Sequence, residues 1–167
     1  FVLRQTEHIK DTLRPIINDP LSYGGRLSLF NPGYFYVLAF FDSFLPYFIV
    51  YRLLPNIFAA SLVLVVYFFV KELTRNAEVS LFTSFLSAFI PIYFSRTFNS
   101  LTHYTYVIPL VFLALLFFLK VPKDKNYIYL YLICIFILCF SHPSVFLLLL
   151  TYVIYFIFLK AEKLPLN

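Results

Sequence analysis

Two acidic side chains, Glu7 and Asp11, stand four residues apart in the opening segment RQTEHIKDTLRPIINDP. Read as a helix over residues 5–18, that spacing puts both carboxylates on one face and Lys10 and Arg14 on another. Paired carboxylates are a common means of moving a proton, and a solvated surface helix would carry the same pattern. The next stretch, DPLSYGGRLSLFNPGYFY at residues 19–36, holds all three glycines of the chain together with Asp19 and Arg26. Asp-Pro, Gly-Gly and Asn-Pro-Gly are turn signals that predict a compact irregular loop. Gly24 and Gly25 let backbone come close to a ligand or another segment, and Arg26 follows them as a partner for an anion. His103 and His142 each follow a polar turn at the end of an apolar run, His142 directly before Pro143. Facing one cavity they would bind a metal or a phosphate group; apart, they would be interfacial side chains bonded to backbone or water. Cys134 and Cys139 lie five apart in one apolar run and read as packing residues, without disulfide or ligand spacing.

The elements that position these residues follow from composition. The chain is 167 residues long, 62% hydrophobic, 22% aromatic and 13% charged, with a mean hydropathy of +0.86. That is more apolar surface than a soluble core of this length hides, and it predicts an all-α, multi-pass integral membrane protein. The net charge of +5 does not point to nucleic acid, because the basic residues fall in short clusters between apolar runs. A crossing helix needs about 20 mostly apolar residues. Five candidates stand at roughly residues 55–72, 78–95, 103–120, 127–141 and 143–160. Lys71, Arg75, Lys120, Lys123, Lys125, Lys160 and Lys163 crowd alternate loops, whereas SRTFNSLT holds one Arg and SHPS none. The positive-inside rule then puts the Lys-rich loops in the cytoplasm and residues 1–54, 96–102 and 141–144 outside. Asp42, Pro46 and Arg52 interrupt residues 33–54, which predicts two short helices in the membrane interface, broken at Pro46. The expected organisation is an extracytoplasmic loop over 1–54, a transmembrane region over 55–160 and a cytoplasmic end over 161–167. The chain has no Met, even at its first position, and is expected to be a piece of a longer protein.

The order of several short motifs resembles one family. NPGYFYVLAFF is similar to an interfacial helix of the pattern Pro-Pro-x-Tyr-Tyr, with Asn31 replacing the first Pro. YRLLPNIFAASLVLVVYFFVKEL is similar to a second span that begins Arg-Leu-Pro, with one extra Leu. DPLSYGGR, SFLSAFIPIYFSRT and FSHPSVFLLLL look like segments of archaeal relatives. Together they resemble the C superfamily of integral-membrane glycosyltransferases (GT-C), taken without the first span: polyprenyl-phosphate-sugar-dependent protein mannosyltransferases, aminoarabinose transferases and archaeal oligosaccharyltransferases. The resemblance implies transfer of a sugar from a polyprenyl-phosphate-linked donor in the lipid bilayer to a protein, lipid or glycan acceptor on the outer face. It implies a carboxylate that takes the acceptor's proton, with Asp19, Glu7 and Asp11 as the acids at hand. It implies cations or a divalent metal at the leaving phosphate, with Arg26, Arg52 and Arg96 as the outer-face cations and His103 and His142 as metal candidates. The family places an acid about four residues before a Tyr or His that begins the loop helix. If His8 marks that point, the acid position falls at Arg4. The acid then lies upstream of Phe1, is replaced by Glu7 or Asp11, or has been lost with catalysis. A transporter or channel fragment and a non-catalytic membrane scaffold subunit are the alternative readings. Charged or broken helices at mid-membrane would mark the transporter, and the five spans show almost none.

Overall fold

The computed structural model describes residues 1–19, 21, 25–27 and 31–161, and leaves the side chains of Arg26, Leu27 and Leu159 outside the described set. The first helix, α1, runs Val2–Thr12 and buries Gln5, Thr6 and Ile9. It stops well short of the expected residue 18. Leu13 turns left-handed (φ 58°), its N–H closing on the Ile9 carbonyl, and Pro15 disfavours a helical Arg14, which therefore does not share a helix with Lys10. Gln5 then binds both backbone groups of Ile16, donating from Nε2 to its carbonyl and accepting from its N–H, each at 2.9 Å. This folds the chain back along α1. The expected irregular loop contains a small hairpin: β1, Asn18–Asp19, pairs antiparallel with β2, Arg26–Leu27, with Asp19 opposite Arg26. Gly25 enters β2 with φ +84°, a conformation that strains any side chain. Gly24 lies outside the described residues.

The second helix, α2, spans Gly33–Asp42 and packs on α1 and on the later helix α7. After Pro46 the chain does not form a second separate interfacial helix. It enters a π turn, Ile49–Leu53, that runs without a break into α3, Leu54–Thr74. Pro55 has no N–H to donate back to residue 51, and the Leu54 N–H reaches Ile49 instead, so the wider turn absorbs the missing bond. The combined helix Ile49–Thr74, of 26 residues, is long and apolar enough to cross a bilayer.

Arg75 ends α3 in the left-handed region (φ 55°), and Asn76 caps α4, Ala77–Ala88, its Oδ1 accepting from the N–H groups of Glu78 and Val79. Helix α4 turns back along α3 with its small polar residues inward. Ser80, Ser84 and Ser87 are buried, while Leu81, Phe82, Phe85 and Leu86 are exposed. Each serine hydroxyl satisfies itself on a carbonyl of its own helix or cap. A helix with Phe outside and Ser inside is the reverse of a water-soluble amphipathic helix, and small residues at a contact are how helices approach closely in lipid. At Ile90 the chain bends by 54° into α5, Pro91–Thr97, so the expected single span over 78–95 is a broken pair. Pro91 accounts for the break, since it removes an N–H and holds Ile90 extended.

Helices α6 (Tyr104–Lys120), α7 (Tyr127–Ser141) and α8 (Ser144–Ala161) complete the bundle, α6 on α3, α7 on α6 and α8 on α7. All three are apolar and match the expected runs to within a residue; among the described residues one helix, or two if the bent pair counts, is long and apolar enough to cross a membrane. The main core gathers Tyr34, Leu38, Val50, Tyr106, Ala114 and Leu138 between α2, the π turn, α6 and α7. An ion pair between Lys123 and Glu72 ties the α6–α7 turn to the end of α3. At the opposite end of α3, the Asn56 amide exchanges hydrogen bonds with Asn99, donating to its side chain and accepting from its N–H.

Candidate functional site

The first helix places Arg4, Glu7, His8 and Asp11 on one face by their three- and four-residue spacing. The hairpin closes over that face to form an open cleft of about 640 Å³, which also reaches Asp19 and Ile17. The three sequence-predicted acids therefore meet in one place, with different roles. Asp19 is 1% exposed and ion-paired to the Arg4 guanidinium, and its other oxygen accepts from the Leu21 N–H at 3.1 Å. Glu7 and Asp11 are exposed, and no ion pair among the described residues engages either. Arg4 occupies the position where the resemblance implies an acid, and it draws a carboxylate from the hairpin to that spot.

A second cavity, about 360 Å³, lies between Tyr51, Arg52, Pro55, Asn99 and Ser100. The π turn sets Tyr51 inward, 6% exposed, and its neighbour Arg52 outward, with the guanidinium 6.0 Å from the Phe48 ring centre. The Tyr51 phenol faces the Asp42 carboxylate, with Glu7 within electrostatic reach. Asp42 in turn receives Lys10, whose Nζ donates to its Oδ2 at 2.8 Å and to its carbonyl at 3.0 Å. Lys10, Asp42 and Tyr51 thus tie α1 to the cavity that holds Arg52, and Glu7, through its reach to Tyr51, relates the acidic cleft to it. Arg96 sits exposed on α5 and lines neither cavity; its carbonyl accepts from the Thr102 hydroxyl at 2.9 Å. The Arg26 side chain, like Gly24, lies outside the described residues.

The two histidines share a third cavity of about 490 Å³ at the same end of the bundle. Their rings stack with centres 4.7 Å apart, and Tyr104 packs against both. His142 accepts the Ser144 N–H on Nδ1 at 3.0 Å, and His103 Nε2 is buried without a partner. Burial pushes both imidazoles below their ordinary pKa, and His103 is pushed further by His142. No third His, Cys, Asp or Glu joins them among the described residues, so the pair by itself is short of the three or four protein ligands of a usual zinc site.

Sequence spacing alone brings out the face of α1. The pairing of Arg4 with Asp19 and the link through Lys10, Asp42 and Tyr51 cross between elements, and the only local signal is that Tyr51 and Arg52 stand between two prolines. No protein-family model, curated protein or solved structure matches this chain.

Proposed function

We propose that this protein is a multi-pass membrane glycosyltransferase that moves a sugar from a polyprenyl-phosphate-linked donor to an acceptor hydroxyl on the extracytoplasmic face. One observation supports the reading: Glu7, which lines an open cleft with Asp11, lies within electrostatic reach of Tyr51, which lines the cavity walled by Arg52. Proton acceptor and phosphate partner are the two groups that displacement at an anomeric carbon requires. In that reaction the acceptor oxygen bonds to the anomeric carbon, the bond from that carbon to the phosphate oxygen breaks, and Glu7 takes the acceptor's proton. The leaving phosphate stays on its lipid, facing Arg52, with Arg26 as a further cation at the hairpin. Asp19 shapes the cleft by holding Arg4.

The multi-pass reading is supported by the outward surface. Phe136, Phe146, Leu147, Ile154 and Phe156 on α7 and α8 are about half exposed or more, which is costly in water and neutral in lipid. Short helices of this kind cross where the bilayer thins or flanking residues reach to the interface. The direct test is reconstitution of the protein into vesicles, with a polyprenyl-phosphate-linked sugar in the membrane and acceptor outside. Sugar should move to the acceptor. Properly inserted protein that moves no sugar from any such donor would overturn the reading.

A second reading, a solute transporter, is favoured by one feature, the 54° break between α4 and α5. The break itself, at residues 89–91, carries no charged side chain. Uptake of solute by the same vesicles, without sugar transfer, would select it.

A further inference from the structure

The cavity of the two histidines has no part in sugar transfer as proposed. It opens between the first turn of α1, the start of α2, the turn before α6 and the joint of α7 and α8. Phe1, Phe35, Leu101 and Pro143 make its walls apolar, and among the described residues no Asp, Glu, Lys or Arg side chain lines it. Its nitrogen groups are set to donate. His142 has committed Nδ1 to the Ser144 N–H, so its neutral ring carries its hydrogen on Nε2. Asn31 uses its amide nitrogen on the Cys139 carbonyl at 3.0 Å and retains a second hydrogen. His103 Nε2 is buried with no partner, an arrangement that is costly unless a ligand completes it. A cation would find no carboxylate here. A doubly charged anion would find no Lys or Arg among the described lining residues to balance it. A singly charged oxyanion with an apolar body suits both the donors and the walls.

We propose that this cavity binds a membrane lipid by its phosphate diester, the phosphate oxygens accepting from the imidazoles of His103 and His142 and the apolar walls meeting the body of the lipid. The site needs no sugar and no donor, and stands apart from the cleft on the other part of α1. Binding of the anion favours the protonated imidazole, which burial alone disfavours, so affinity rises on acidification. The other ionisable groups facing the pair are the phenols of Tyr34 and Tyr104 and the α-amino group of Phe1. Burial pushes Tyr34 up to about 12, which leaves it neutral throughout.

The test uses the full chain in an uncharged detergent, titrated with short-chain phosphatidylglycerol, with diacylglycerol of the same chains, and with inorganic phosphate, and followed by native mass spectrometry and histidine proton resonances. Phosphatidylglycerol is expected to bind about tenfold more tightly at pH 5.5 than at 7.5 and to move both histidine resonances. His103→Phe should lower that affinity at least tenfold. His142→Asn, which keeps an acceptor for the Ser144 N–H and so leaves the start of α8 intact, should do the same. Equal binding of diacylglycerol, or unchanged affinity in both variants, would overturn the proposal. Inorganic phosphate binding as tightly as the lipid would overturn the lipid and leave a free-anion site. Since no sugar donor is present, the outcome is independent of whether the protein transfers sugar.

Discussion

Arg4, partly exposed, pairs across a turn with the buried carboxylate of Asp19, and such a pair is felt most when the partner of the buried charge is removed. Arg4→Ala leaves a carboxylate that is 1% exposed without its counter-charge, at a cost of about 3 kcal/mol. Because the pair holds the hairpin to α1, the loss falls locally, and amide exchange over residues 18–27 should quicken roughly hundredfold while the helices stay protected. Unchanged exchange there would mean that the hairpin is held by Gln5 and Ile16 alone. Gly25 makes a second case. With φ +84°, Gly25→Val strains the approach to β2, and it should reduce sugar transfer at least tenfold, about 1.4 kcal/mol on the barrier, with the protein still monodisperse in detergent. Full activity in a well-folded Gly25→Val protein would reduce the hairpin to a connection. The acidic face of α1 is legible in the sequence because four-residue spacing is a property of one helix. The burial of Asp19 is not, because it depends on a partner fifteen residues away and on a chain reversal that turn residues announce without specifying.

Helix contacts show the same division between local and distant information. Apolar runs mark where α3, α6, α7 and α8 lie, and Pro91 stands where the second run, over 78–95, breaks. What the pattern does not state is that the residues after Pro46 join α3 through a π turn, since either a separate interfacial helix or a continuous one buries the same aromatic residues. The stripe of Ser80, Ser84 and Ser87, spaced by four and three, is legible as one helix face once small residues are sought as the packing side. Gly33 marks a close approach of α2 to α7. A Cβ built there runs into the Ser141 hydroxyl and meets the Phe140 carbonyl at 2.9 Å, so α2 and α7 must part to admit one. Gly33→Val is expected to destabilise the bundle by about 2 kcal/mol, seen as a lower midpoint of thermal unfolding by circular dichroism. A midpoint equal to that of the parent protein would show that α2 is not seated on α7.

At the scale of the molecule, polarity is arranged end to end. Lys123 and Glu72 join at one end, while α1, the hairpin, Arg52 and both histidines gather at the other. In a background with Cys134 and Cys139 replaced, a single cysteine at Arg14 should react with an impermeant reagent added outside, and one at Lys125 should react only after the membrane is opened. Equal reaction of both from outside would remove the sidedness on which the proposed chemistry rests. The all-α class, the apolar exterior and the bounds of α6, α7 and α8 are legible from composition and apolar runs, whereas the bend within residues 78–95 and the π turn leading into α3 follow from backbone bonds that Pro91 and Pro55 remove. Whether Glu7 is the proton acceptor in the proposed sugar transfer is decided by the rate of transfer by Glu7→Gln protein in vesicles. A neutral amide of the same shape should leave the fold and the Arg4–Asp19 pair intact and lower the rate at least a hundredfold. Transfer at the parent rate would contradict the assignment and send the search for the base elsewhere in the protein.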